Sequence, residues 1–465
     1  MRRLLLALPL ATLLPGALAA QPGPEREAVR IDYVEETLPN GLRVVYHVDR
    51  STPVVAVDIW YNVGSKHEQP GRTGFAHLFE HMMFKGSRNV PDGQHFALLE
   101  NAGARSGADI NGTTSWDRTN YFEQLPSNQL ELALWMEADR MGTLTETVTA
   151  AKLDNQREVV KNERRQSVDN QPYGGWMETM QSRLFPQGHP YHHPIVGSME
   201  DLSAATVDDV NQFFRTYYAP NNAVLVVAGD LDVDQAKAMV RRHFGDIPRG
   251  PQPPPLRSAA LPATLGRAYR EVIQDANAPA PAVYVGFRVP PARSEQANAV
   301  NLLASVLGNQ SSGMYESLVR RQQIATGMGV FNLGLVDGAD MLIVLAQGKP
   351  GASADSLEAA VLRELDGAAA SVTQPALDRA RAGVRFQLID GLQRTGGFGG
   401  RADMLAQGAT FYGDPNWINT QLAENDAVTV ADLHAVLRER LVPTNRVVLV
   451  YVPAAAAQPS APGTR

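Results

Sequence analysis

The two halves of this chain end alike. Residues 206 to 230 read TVDDVNQFFRTYYAPNNAVLVVAGD and residues 429 to 453 read TVADLHAVLRERLVPTNRVVLVYVP. At one constant offset Thr206 matches Thr429, Val207 matches Val430, Asp209 matches Asp432, Pro220 matches Pro443 and Asn222 matches Asn445. Each copy predicts the same order: a Thr or Asp at a helix start, an amphipathic helix, a Pro-x-Asn turn, then an apolar strand. A series held in register over this length constrains the fold to two copies of one α/β unit. A chain of 465 residues is also too long for one ordinary core.

Between the copies lies RGPQPPPLR, residues 249–257, with four prolines in nine residues. That composition predicts an extended connector. It separates a unit at 31–248 from a homologous unit at 258–454, and the Ala/Pro-rich tail 455–465 has nothing to bury and is expected to be disordered. Strand-like runs (VVAVDIWYNV at 54–63, AVYVGFRV at 282–289) alternate with helical patterns (ALLENAG at 97–103, AVNLLASVLG at 299–308) without a steady βαβ rhythm. The expectation is an α+β fold: a mixed sheet in each unit with helices on one face.

The first 20 residues, MRRLLLALPLATLLPGALAA, have the layout of a secretory signal: Arg2 and Arg3, an apolar run, then small residues. The run is too short for a comfortable membrane span, so removal is expected, no stable membrane anchor, and a periplasmic or secreted location. A formal net charge of −7 points away from nucleic acid or an anionic membrane surface as partner. The chain has no cysteine, so any transition-metal site must use His, Asp or Glu.

Such residues are concentrated in HLFEHMMF, 77–84. On a helix His77 and His81 lie roughly 40° apart, one turn from each other on one face. Two imidazoles so placed can grip one cation and suit zinc. Glu80 is close enough to act on a water there without displacing a ligand. The order His-x-x-Glu-His is the inverted form of the zincin motif. A catalytic zinc needs a third protein ligand, and AAKLDNQREVVKNERRQSV (150–168) offers Glu158 and Glu163. These are roughly 140° apart on a helix, so they cannot both face one metal. Glu163 shares a half-buried stripe with Leu153, Gln156 and Val160, whereas Glu158 shares a solvated one with Asp154, Lys161 and Arg165. Glu163 is the choice and Glu158 the alternative.

From about residue 31 to 453 the chain closely resembles the pitrilysin/insulinase family of zinc peptidases, in particular its single-half members related to the mitochondrial processing peptidase. The resemblance rests on HLFEHMMFKGS (77–87), INGTTSWDRTNYFEQLP (110–126), QREVVKNE (156–163), the QPYG and GHPYHHPIVG segments, and the P-x-N-x-V strands that close each half. It implies that His77, His81 and Glu163 bind one Zn2+ per chain, that Glu80 is the general base, and that the two units form one half of a clamshell-like chamber. The family usually has Glu where Gln156 stands, a position that supports the site. Asn111 matches a family Asn implied to contact the substrate; as a bare sequence feature it is a turn residue before Gly112. Segment 104–114 is expected to present a strand edge to an extended peptide.

In the family the opposite half contributes an Arg and, seven residues later, a Tyr. Here Val319 and Thr326 fall at those places. The resemblance therefore implies a zinc-dependent endopeptidase acting on peptides or unfolded segments, whose homologous partner subunit supplies the Arg/Tyr pair. The alternative is a non-catalytic scaffold or peptide-binding subunit of a larger assembly. His189, His192 and His193 sit in a Gly/Pro-rich loop without ligand spacing. RTGGFGGRA (394–402) lacks the Lys-Ser/Thr of a phosphate loop. His47, His67, His95, His243 and His434 are scattered and carry no assigned chemistry.

Overall fold

Thr206 and Thr429 each start a helix in the way the repeat predicts. Each hydroxyl accepts from the N–H of the residue three further on, and Asp209 or Asp432 reaches back to the threonine N–H. The helices Val207–Tyr217 and Val430–Arg440 follow, then one 3₁₀ turn at Pro220–Asn222 or Pro443–Asn445, then a buried strand. Thr206→Ala and Thr429→Ala are each expected to lower stability by about 1 kcal/mol in urea unfolding.

The structure is a computed structural model that describes residues 30–256 and 260–454. The leader at 1–20, Arg257 of the connector and the tail 455–465 lie outside the described residues. Six strands form the first sheet: β1 (Val34–Thr37), β2 (Arg43–Val48), β3 (Val54–Tyr61), β4 (Ile110–Thr114), β5 (Thr119–Pro126) and β6 (Ala223–Gly229), in the order β1-β2-β6-β3-β5-β4. Five form the second: β7 (Tyr269–Asp275), β8 (Ala282–Val289), β9 (Ala325–Asn332), β10 (Asp340–Gly348) and β11 (Arg446–Pro453), in the order β7-β11-β8-β10-β9. Superposing the orders pairs β2 with β7, β6 with β11, β3 with β8, β5 with β10 and β4 with β9. In both sheets the β2–β6 or β7–β11 pair is parallel, and the other pairings are antiparallel. The sequence repeat is thus a repeat of topology.

One face of each sheet carries helices of its own half. Helices Phe75–Met82, Leu130–Thr143, Ala150–Arg164, Val207–Tyr217 and Val233–Phe244 cover the first sheet, and Ala297–Gly308, Ala354–Asp366 and Val430–Arg440 the second. The opposite faces are covered by exchange. Leu405, Ala406 and Ile418 of the second half pack on Val45, Ala56, Trp60 and Val226. Met180, Leu184 and Phe185 of the first half pack on Tyr284, Ile343 and Leu449. Helices on one face describes each unit alone; with the two together, the central strands are covered on both faces. This explains why β3, β6 and β8 are buried along almost their whole length and are mostly apolar rather than alternating, with Asp58 and Arg288 as their charged residues.

The halves are also stapled by charge. Lys66 Nζ lies 2.9 Å from Asp117 Oδ1 and 2.6 Å from Asp337 Oδ2, and the Tyr191 hydroxyl donates to Asp117 at 2.5 Å. Residues 249–256 of the connector have no regular structure and are held to the Pro220–Asn222 turn, where Asn221 bonds Gly250 N–H and the Pro251 carbonyl. Among the described residues no helix is long and apolar enough to cross a membrane.

Candidate metal centre

Helix Phe75–Met82 buries Phe75, Ala76, Leu78, Phe79 and Met82 against the sheet. That leaves His77, Glu80 and His81 together on its less buried side. The two imidazole rings stand nearly perpendicular, centroids 4.8 Å apart. Helix Ala150–Arg164 starts at a Thr149 cap and buries Leu153, Gln156 and Val160, which brings Glu163 of its last turn to the histidines. Glu163 Oε1 lies 3.7 Å from His77 Nε2 and Oε2 lies 3.3 Å from His81 Nε2. One ligand atom from each of the three falls within 4.8 Å of the others. Among the described residues this is the one group of three or more His, Asp or Glu side chains that converges so. Glu158 faces away, exposed, with Lys161 Nζ at 3.0 Å.

The electrostatics suit a cation. Burial, then the neighbouring His81, pushes the His77 pKa down to about 4, so it stays neutral with a free lone pair. Burial also disfavours charge on His81, but the Glu163 hydrogen bond and the Glu80 and Glu163 charges outweigh it and raise its pKa. The His81 hydrogen bond in turn holds the Glu163 carboxyl below its ordinary range. Gln156, 7% exposed, stands beside His81 and helps raise its pKa, and donates to Asn155 Oδ1 at 2.8 Å. Two imidazoles and a carboxylate are a donor set that zinc accepts, and Glu163 is 45% exposed, which leaves the centre an open side.

Across from the helix runs β4, which has a strand partner on one side only; its outer edge is bridged by Ser106 at Ile110 and is free beyond it. The Thr114 hydroxyl donates to Glu80 Oε2 at 2.6 Å. Burial raises the Glu80 pKa, with Thr114, His81 and Arg118 opposing. Asn111 lies on the same strand rather than in a turn; its side chain accepts from Gly112 N–H and donates to the Gly107 carbonyl. Val319 packs against the second core, and the exposed Thr326 hydroxyl bonds the Gln347 carbonyl. Arg320 pairs with Glu316.

His192 bonds the Phe185 carbonyl, His189 accepts from Tyr191 N–H, and His193 bonds Glu68, so none of the three joins the converging group. The glycine-rich segment sits on β5, with Gly396 N–H on Gln124 and Phe398 edge-on to Phe122. Thr114, Arg118 and Glu68 are the neighbours of the centre that sequence reasoning missed. A hydroxyl in a strand and a carboxylate seven residues before a helix carry no motif.

Residues 43–194 match the family model for insulinase, peptidase family M16, and residues 204–384 match that for the peptidase M16 inactive domain. The chain belongs to the M16 family. All three converging residues fall within the first match. The zinc protease PqqE of Helicobacter pylori is 29% identical over 384 residues, 80% of this chain and 83% of that one. The probable mitochondrial-processing peptidase subunit beta of Arabidopsis thaliana is 25% identical over 362 residues, 76% of this chain and 66% of that one. Among solved structures, a protease from Helicobacter pylori superposes with a TM-score of 0.83 at 26% identity, covering 91% of this chain and all of the other. The periplasmic protease PqqL of Escherichia coli has the same fold, at a TM-score of 0.70 and 18% identity. The match there covers 92% of this chain but 48% of PqqL. This chain is therefore the size of one half of a two-half M16 protein.

Proposed function

We propose that this chain is a zinc-dependent endopeptidase that cleaves extended peptides or unfolded protein segments, and that it is the zinc-bearing subunit of a pair. The observation that carries the reading is the convergence of His77, His81 and Glu163 with Glu80 beside them. Residues 31–248 act as the zinc-binding domain and residues 258–454 as its homologue. His77, His81 and Glu163 would hold the ion, which supplies Lewis acidity toward a carbonyl and a water.

Glu80 takes the proton of the attacking water and returns it to the leaving amine. Its Oε2 is engaged by Thr114, which leaves Oε1 for that proton. The free edge of β4 adds an extended substrate as a further strand, so recognition reads backbone more than side chains. Asn111, on that strand, contacts the substrate, and Gln156 steadies His81.

Val319 and Thr326 lack the charge and the phenol that would bind substrate and stabilise an oxyanion from the opposite half. A homologous partner subunit fills that role. The leader-like first residues and the likeness to the periplasmic protease PqqL support export to the periplasm or beyond. Cleavage of an unstructured peptide is expected to be weak for the chain alone, strong after mixing with a homologous subunit that carries the Arg and Tyr, and abolished by a chelator. Full activity of the chain alone would sink the two-subunit reading, and activity untouched by the chelator would sink the metal.

A further inference from the structure

The segment GHPYHHPIVG offers no metal site, yet it touches both helices that carry the converging residues. Helix Phe75–Met82 begins without a side-chain cap of its own: its N-cap is Gly74, in the left-handed region at φ 85°. The open N–H groups are taken instead by Glu68, whose Oε2 accepts from Gly74 at 2.8 Å and Oε1 from Ala76 at 2.7 Å. The Glu68 side chain is fully buried and is met by His193, Nε2 to Oε2, at 3.0 Å. The same Nε2 lies 2.9 Å from the Ser65 carbonyl. Both partners are acceptors, so Nε2 carries the hydrogen.

Four residues on, the loop reaches the other helix. Arg164, which follows Glu163, donates to the Gly197 carbonyl at 2.8 Å and pairs with Glu178 at 2.5 Å. Gly197 is itself packed on Gly74: a Cβ on Gly197 would lie 2.4 Å from the Gly74 backbone, and one on Gly74 would lie 2.5 Å from the Val196 carbonyl. Both glycines have positive φ, so neither position accepts a side chain without moving the backbone. One stretch of chain therefore fixes the N-terminus of the first helix and the C-terminus of the second.

We infer that loop 188–197 is a bracket that sets the spacing of the two helices, with His193, acting through Glu68, and Arg164 as its positioning residues for the metal centre. The inference rests on the zinc reading above. A donor set held at the right spacing loses a metal slowly; one whose two helices drift apart loses it fast. Groups that orient metal ligands are typically worth tenfold to a hundredfold in affinity.

The test is the rate of zinc release from the full chain to a competing chromogenic chelator, with the melting temperature of the metal-free protein measured alongside. Wild type is expected to release slowly. His193→Ala is expected to release about tenfold faster or more. His193→Gln, whose amide N–H can reach Glu68, is expected to recover most of the loss. Arg164→Met, which cuts the other arm, is expected to act in the same direction and serves if His193→Ala does not fold. Release at the wild-type rate in folded His193→Ala or Arg164→Met overturns the bracket while leaving the zinc reading intact. So does a lowered melting temperature with unchanged release. A wild type that takes up no zinc overturns both.

Discussion

Glu80→Gln is expected to lower peptide hydrolysis by roughly 10²–10⁴-fold, the usual worth of a positioned general base. The substitution keeps the shape of the side chain and its hydrogen bond with Thr114, but the amide cannot carry a proton from water to the leaving amine. Glu80 is not among the converging ligand atoms, so zinc content should be unchanged. The measurement is turnover of a fluorogenic unstructured peptide by the assembled enzyme, with metal analysis of the same sample. Loss of activity together with loss of zinc would point to a structural defect; full activity with zinc in place would refute the role assigned to Glu80.

The second large effect is on stability and lies on helix Leu130–Thr143. Arg140 is 2% exposed and pairs through Nε and Nη2 with Glu137, which is fully buried. Its guanidinium also lies over the rings of Tyr121 and Phe84, at 4.4 and 5.2 Å from their centroids. Glu123 stands beside this pair with no hydrogen-bond partner on either oxygen. Burial and the Glu137 charge hold its carboxyl well above the ordinary range. Arg140→Met keeps the volume and removes the one cation, leaving two buried carboxyl groups to each other. The expected cost is about 3–5 kcal/mol, read as a lower urea midpoint with unchanged slope. A shift within experimental scatter would show that the cluster is neutral without its arginine.

Much of the site was legible because its chemistry is local. His77, Glu80 and His81 are grouped by helical spacing alone, and the choice of Glu163 over Glu158 followed from which stripe of the second helix is apolar: Leu153, Gln156 and Val160 are indeed the buried set. The repeat was legible for the same reason, since each threonine cap, turn and strand is contiguous in sequence. What was not legible is non-local. Nothing in the sequence around Leu405 or Met180 says that these helices cover the other half's sheet, because an apolar stripe does not name its partner. Glu68 caps a helix from outside it, and Thr114 meets Glu80 only once β4 lies across from the helix. His193 looked like one of three histidines in a turn, and its partner is 125 residues away.

The most direct test of the central claim is the zinc content of the purified full chain. One zinc per chain is expected in the wild type, with the ion missing from His77→Ala/His81→Ala. A wild type without zinc, or a double variant that keeps as much zinc as the wild type, would contradict the assignment of the centre.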